Sequence, residues 1–145
     1  MRNKIICLLS VLIIFINVLV GYYLPPSEML TTIIVLPIIT FCIYRYFDIK
    51  PIYKMLFVCL LIIVNDLGVK FYGGGSHDQI GQFLINSSSI IGVFLAYIVF
   101  FISTIINIKN DMYTKQDSIS SLILFPLIQI VYFFFAWNVG LGRYI

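Results

Sequence analysis

Charge is scarce in this chain: 10% of its 145 residues are Asp, Glu, Lys or Arg, and there is one histidine, His77. A water-soluble domain of that length cannot enclose an apolar share of 61%, so lipid is the expected solvent. Cysteine is equally sparse. Cys7, Cys42 and Cys59 are odd in number, fall inside apolar blocks and form no C-x-x-C pair, which argues against a disulfide framework or a zinc knuckle. They read as small buried hydrophobes.

Other absences narrow the function. One histidine cannot ligate a haem from both faces, and the chain has no nucleophile elbow, H-E-x-x-H pair or serine–lysine pair of recognised spacing. Gly73, Gly74 and Gly75 are not followed by Lys-Ser/Thr, so they are not a phosphate-binding P-loop. No basic run or aromatic–basic stripe accompanies the net charge of +3, so nucleic acid is not an expected partner. No cofactor, metal site or catalytic residue is assigned.

What the chain does have is long apolar blocks, roughly 5–24, 29–47, 52–71, 83–108 and 119–138. Blocks near twenty residues match a hydrocarbon thickness of roughly 30 Å at helical rise, and they lack the strict alternation of barrel strands. The expectation is an all-α, polytopic integral membrane protein: one helical membrane domain over 1–145 with about five transmembrane helices. Four spans is the alternative, because Asn65, Asp66 and Lys70 crowd the far end of the third block.

Local signals set the boundaries. Pro25 and Pro26 end the first block, and Ser27 with Glu28 suits the start of the second. Pro51 fits the first turn of the third, Ser76 with Gln79 fits a capping box opening a long fourth helix, and Pro37 and Pro126 predict kinks. The basic start Arg2, Asn3, Lys4 precedes an apolar run without an A-x-A-like site, which reads as a signal anchor.

Lys and Arg count seven against two in alternate connections: Arg2, Lys4, Arg45, Lys50, Lys54, Lys109 and Lys115 against Lys70 and Arg143. The bias places the N-terminus in the cytoplasm. With the short connections and an Ile-, Phe-, Asn- and Tyr-rich composition, it points to a multi-pass protein of a bacterial inner (cell) membrane.

The densest polar stretch runs from Asn65 to Gln82. Its candidate ligand or partner site comprises Asn65, Asp66, Lys70, His77, Asp78, Gln79 and Gln82. Asp66 and Lys70 are spaced to pair along one helical face, whereas Asp66, His77 and Asp78 together would supply proton-handling or metal-binding chemistry. The plainer alternative has Asp78 capping a helix and His77 in solvent. Ser88, Gly92 and Ala96 form a small-residue face for close helix packing, within the chain or between copies. Asn17 and Gln129 each need a hydrogen-bond partner inside a span, and interhelical bonds are expected.

The leading functional expectation is a small non-enzymatic membrane protein acting through protein contacts, as an accessory subunit or an immunity-type protector. Besides the lipid bilayer, its partner would be another membrane or secreted protein. The alternatives are an oligomeric channel or transporter subunit, which would be a homo-oligomer, and a metal-dependent membrane hydrolase built on Asp66, His77 and Asp78.

The orientation is directly testable. In a chain with Cys7, Cys42 and Cys59 replaced by Ala or Ser, a His77→Cys substitution should react with a membrane-impermeant maleimide in intact cells. Reaction only after permeabilisation would invert the topology.

Overall fold

The computed structural model describes residues 2–24, 27–72, 79–109 and 114–139. Among these the chain forms five α-helices and no strand: α1 (Arg2–Tyr23), α2 (Ser27–Tyr46), α3 (Pro51–Tyr72), α4 (Gln79–Lys109) and α5 (Lys115–Ala136). All five are long and apolar enough to cross a membrane, including α3 with its polar far end, and the architecture fits a multi-pass membrane protein.

Several boundaries differ from those read in the sequence. The helix expected from residue 5 starts at Arg2, because Asn3 and Lys4 lie in its opening turn and are compatible with helix. The fifth starts at Lys115 rather than 119 and ends at Ala136. Its start is set by Thr114, whose extended backbone and Oγ1, accepting from the Asp117 backbone N–H at 3.4 Å, cap the first turn. The fourth, by contrast, is the long helix expected from the Ser76 and Gln79 signal: it runs unbroken for 31 residues from Gln79, so it begins before the apolar block at 83. The proposed caps at Ser76 and Asp78 lie outside the described residues.

Pro37 and Pro126 both sit inside continuous helices. Proline removes the N–H that would bond the carbonyl four residues back, which for Pro126 is that of Leu122. Tyr97 of α4 donates its hydroxyl to that same oxygen at 3.3 Å, so the orphaned carbonyl is a link between α4 and α5.

The helices alternate in direction, giving the bundle two ends. The first end carries Asn3, Tyr46, Pro51 and Lys115; there Asn3 and Asp48 exchange bonds of 3.2 Å. The second carries Tyr23, Ser27, Tyr72, Gln79 and Ala136. Helix α3 is central: it packs against all four others, with α1 and α2 on one side and α4 and α5 on the other, while α2 and α4 form the most extensive pair.

The buried stripe of α3 follows helical periodicity through Met55, Val58, Cys59 and Ile62. Around it lie Leu36, Ile39 and Ile43 of α2, Ala96 and Phe100 of α4, and Phe125 of α5. Phe100 stacks on Phe125 at 5.1 Å between centroids and meets Tyr44 edge-on at 4.8 Å. The outward faces are also apolar, with Leu8, Leu30, Phe94, Ile130 and Phe134 all strongly exposed. Such a belt suits hydrocarbon, where helix association rests on close packing and hydrogen bonds rather than on escape from water.

Two glycines permit the closest approaches. A Cβ on Gly92 would lie 3.2 Å from the Thr32 backbone oxygen and 3.1 Å from Leu36 Cδ1, so α4 rides against the backbone of α2. Ser88 and Ala96, one turn away on either side, are buried on the same row. On Gly68 a Cβ would come within 2.5 Å of Val18 Cγ2, a stiff β-branched side chain of α1.

The two sites should respond differently. Gly68→Ala should lower stability by about 1–2 kcal/mol, and Val18→Ala in the same chain should recover most of it. Gly92→Val should cost about 1–3 kcal/mol and should be recovered only in part by Leu36→Ala, because the Thr32 backbone oxygen at 3.2 Å still obstructs. Unfolding by sodium dodecyl sulfate from mild detergent, followed by circular dichroism, measures both.

Candidate functional site

Beyond Ile62 the inward stripe of α3 turns polar: Asn65, Asp66 and Lys70 are each at most 1% exposed. Because they occupy core-facing positions of the central helix, each must find partners on neighbouring helices. Asn65 faces α1 and α2. Its Oδ1 accepts from Asn17 Nδ2 at 2.8 Å, and the same amide nitrogen donates to Thr32 Oγ1 at 3.0 Å. One side chain from each of three helices therefore meets at a point.

Asp66 faces the other way, towards α4 and α5. Its carboxylate accepts from Ser89 Oγ at 2.6 Å and Tyr132 Oη at 2.5 Å, and pairs with Lys70 Nζ at 2.8 Å. Lys70 Nζ also donates to the Ala136 carbonyl at 2.9 Å and lies 5.8 Å from the Phe133 ring centroid. An ammonium at the C-terminal end of α5 meets both an orphan carbonyl and the negative end of the helix dipole. The expected i,i+4 pairing is thus only part of the arrangement; Ser89 and Tyr132 complete it.

The remaining carbonyls at that end of α5 are held from α4. Gln82 Nε2 donates to the Trp137 and Val139 oxygens at 2.9 and 3.1 Å, and Asn86 Nδ2 donates to the Trp137 oxygen at 3.0 Å. Gln79, Gln82 and Asn86 line, with Phe83, Trp137 and Asn138, a cavity of about 260 Å³ at the second end of the bundle. The candidate stretch therefore divides into a closed core cluster, Asn65, Asp66 and Lys70, and a cavity lining that includes Gln79 and Gln82. His77 and Asp78 lie outside the described residues. Among the described residues no group of three or more His, Cys, Asp or Glu is placed to hold a metal ion.

A second, larger feature was not singled out as a site in the sequence. Between α4 and α5 runs an open groove of about 720 Å³ whose walls include Val93, Phe94, Tyr97, Phe133 and Phe134. It is apolar except for Gln129 and the Asn138 end. Gln129 is 3% exposed, and neither its Nε2 nor its Oε1 has a hydrogen-bond partner among the described residues. The Cys59 thiol of α3 lies beside the amide without meeting hydrogen-bond geometry. Among the described residues Asn17 makes its expected interhelical bonds, whereas Gln129 has only the Cys59 thiol of α3 beside it.

The Ser88, Gly92, Ala96 face is turned inward, with Gly92 against α2. Of the two packings expected of this face, within the chain or between copies, the structure shows the first at Gly92. Comparison with protein-family models, with curated proteins and with solved structures gives no match, so the site is argued from its geometry.

Removing one member of the ion pair leaves a buried charge uncompensated. Lys70→Met should therefore cost about 3–5 kcal/mol of stability. Adding Asp66→Asn should recover at least half, since the amide oxygen can still accept from one of the Ser89 and Tyr132 hydroxyls while its NH2 donates to the other. Detergent unfolding of the two single variants and the double variant closes the cycle.

Proposed function

We propose that this is a small non-enzymatic membrane protein that acts by lateral contact with a transmembrane helix of another protein, received in the groove between α4 and α5. The reading covers both an accessory subunit and an immunity-type protector. The reading takes the orientation and bacterial inner-membrane location from the charge bias of the connections.

The observation that carries it is Gln129. An amide has donors and an acceptor to satisfy, and at this depth, about 10 Å along α5 from Ala136, neither acyl chains nor bulk water supply partners. Its side chain has three rotatable bonds and can swing into the groove beside it. A polar side chain on a neighbouring helix then completes the pair, a contact worth roughly 0.6–2 kcal/mol in a membrane.

Enzymatic readings find less support. Asp66, the acid on which a hydrolase would rest, already accepts from Lys70, Ser89 and Tyr132. A channel within one chain would need polar groups facing a path, whereas Asn17, Thr32 and Asn65 are buried and Asn17 Nδ2 donates to the other two.

The test uses a photoreactive benzoylphenylalanine at Phe134, on the groove, and at Leu8, on the outward face of α1, in membranes of the source cell. Position 134 should give a discrete protein adduct that position 8 does not. Gln129→Leu should reduce it about three- to thirty-fold, the range corresponding to that hydrogen bond. An adduct of two copies of this chain would move the assignment to the oligomeric alternative, and lipid adducts alone at both positions would overturn it.

A further inference from the structure

At the first end of the bundle a cavity of about 340 Å³ lies between α2 and α4. Phe41 and Arg45, one turn apart on α2, contribute to one wall, and Ser103, Ile106 and Asn107 of α4 contribute to the other. Phe41 and Ile106 are each 52% exposed and belong to the apolar belt, whereas Arg45 is exposed in the last turn of α2, where that span ends. Surface suited to hydrocarbon and a cationic side chain therefore meet in one recess near headgroup depth.

The described side chains of its wall carry unequal charge: Arg45 and Lys54 are cations, and Asp48 is the one acid. Lys54 is buried and held in place. Its Nζ donates to the Tyr44 carbonyl at 3.3 Å and lies 5.6 Å from the Tyr44 ring centroid, and Asp48 acts on it through its charge. Asp48 thus offsets Lys54, while Arg45 makes no ion pair among the described residues. The planar guanidinium of an arginine presents parallel N–H groups that match two phosphate oxygens. Ser103 and Asn107, both half-buried, are further donors on the facing wall.

We propose that this cavity holds the phosphate of an anionic phospholipid, with its oxygens on Arg45 and its acyl chains running along the side of Phe41 and Ile106. Lys54 contributes its field from where it is fixed and need not move. A zwitterionic lipid would bring a second cation beside Arg45, and free phosphate would gain nothing from the exposed apolar side chains. On the orientation read from the connections the cavity meets the cytoplasmic leaflet, where basic recesses between spans take anionic headgroups. It shares no lining residue with the groove between α4 and α5, so it does not depend on that groove receiving a helix.

The full-length protein in neutral detergent is titrated with phosphatidylglycerol, phosphatidylethanolamine or phosphatidylcholine, and bound lipid is counted by native mass spectrometry. The unaltered chain should bind one phosphatidylglycerol about tenfold more tightly than either zwitterionic lipid. Arg45→Gln should lower that affinity about fivefold and Arg45→Lys by less. Lys50→Gln, which removes an exposed cation outside the cavity, should leave it unchanged. Inorganic phosphate should displace the lipid no more than sodium chloride of the same ionic strength does. Equal losses in Arg45→Gln and Lys50→Gln would reduce the effect to general surface charge and overturn the site. Equal affinity for the three lipids would overturn the anionic assignment, and displacement by inorganic phosphate beyond the salt effect would assign the cavity to free phosphate instead.

Discussion

Everything in the second half of the bundle depends on two adjacent residues of α3 that face opposite ways. Asn65 reaches α1 and, through Asn17, α2; Asp66 reaches α4 through Ser89 and α5 through Tyr132. Neighbouring positions on a helix diverge by about 100°, so a consecutive polar pair on a central helix can address both sides of a bundle at one depth. In hydrocarbon these bonds have no water to compete with them, and losing one leaves a polar group stranded. Helix direction, rotation and depth are therefore fixed together near this junction, while the apolar core towards the first end is set by shape, above all by the Phe100–Phe125 stack.

Lys70 extends this arrangement to a helix end. It neutralises Asp66 and binds the Ala136 carbonyl, while Gln82 and Asn86 bind the carbonyls just beyond. The C-terminal end of α5 is thus tied by side chains of α3 and α4. A well-held helix end next to an open groove is a suitable frame for recognition.

Much of this was legible in the sequence, and the limits have physical causes. The five helices followed from block length and prolines, and the Asp66–Lys70 pairing followed from i,i+4 spacing, because both depend on local chain geometry. Ser89 and Tyr132 could not be assigned to Asp66, since a serine in an apolar helix and a tyrosine near a helix end have ordinary local explanations and their partner lies on another helix. Gln129 was visible as an amide needing a bond, but that no described residue meets it in hydrogen-bond geometry is a tertiary fact. The start of α5 was placed late because Lys115, Gln116 and Asp117 are polar; the cap at Thr114, not hydrophobicity, decides where that helix begins.

An amide left without a partner in a lipid-facing groove raises the free energy of the isolated chain, which is the property that would make the groove selective. A wholly apolar groove discriminates poorly between a partner helix and acyl chains, because both offer similar dispersion contacts. With Gln129 at its floor, an occupant that cannot hydrogen-bond leaves the desolvation cost in place, whereas one with a matching polar group removes it. Specificity then comes from the penalty imposed on the wrong occupant as much as from contacts with the right one.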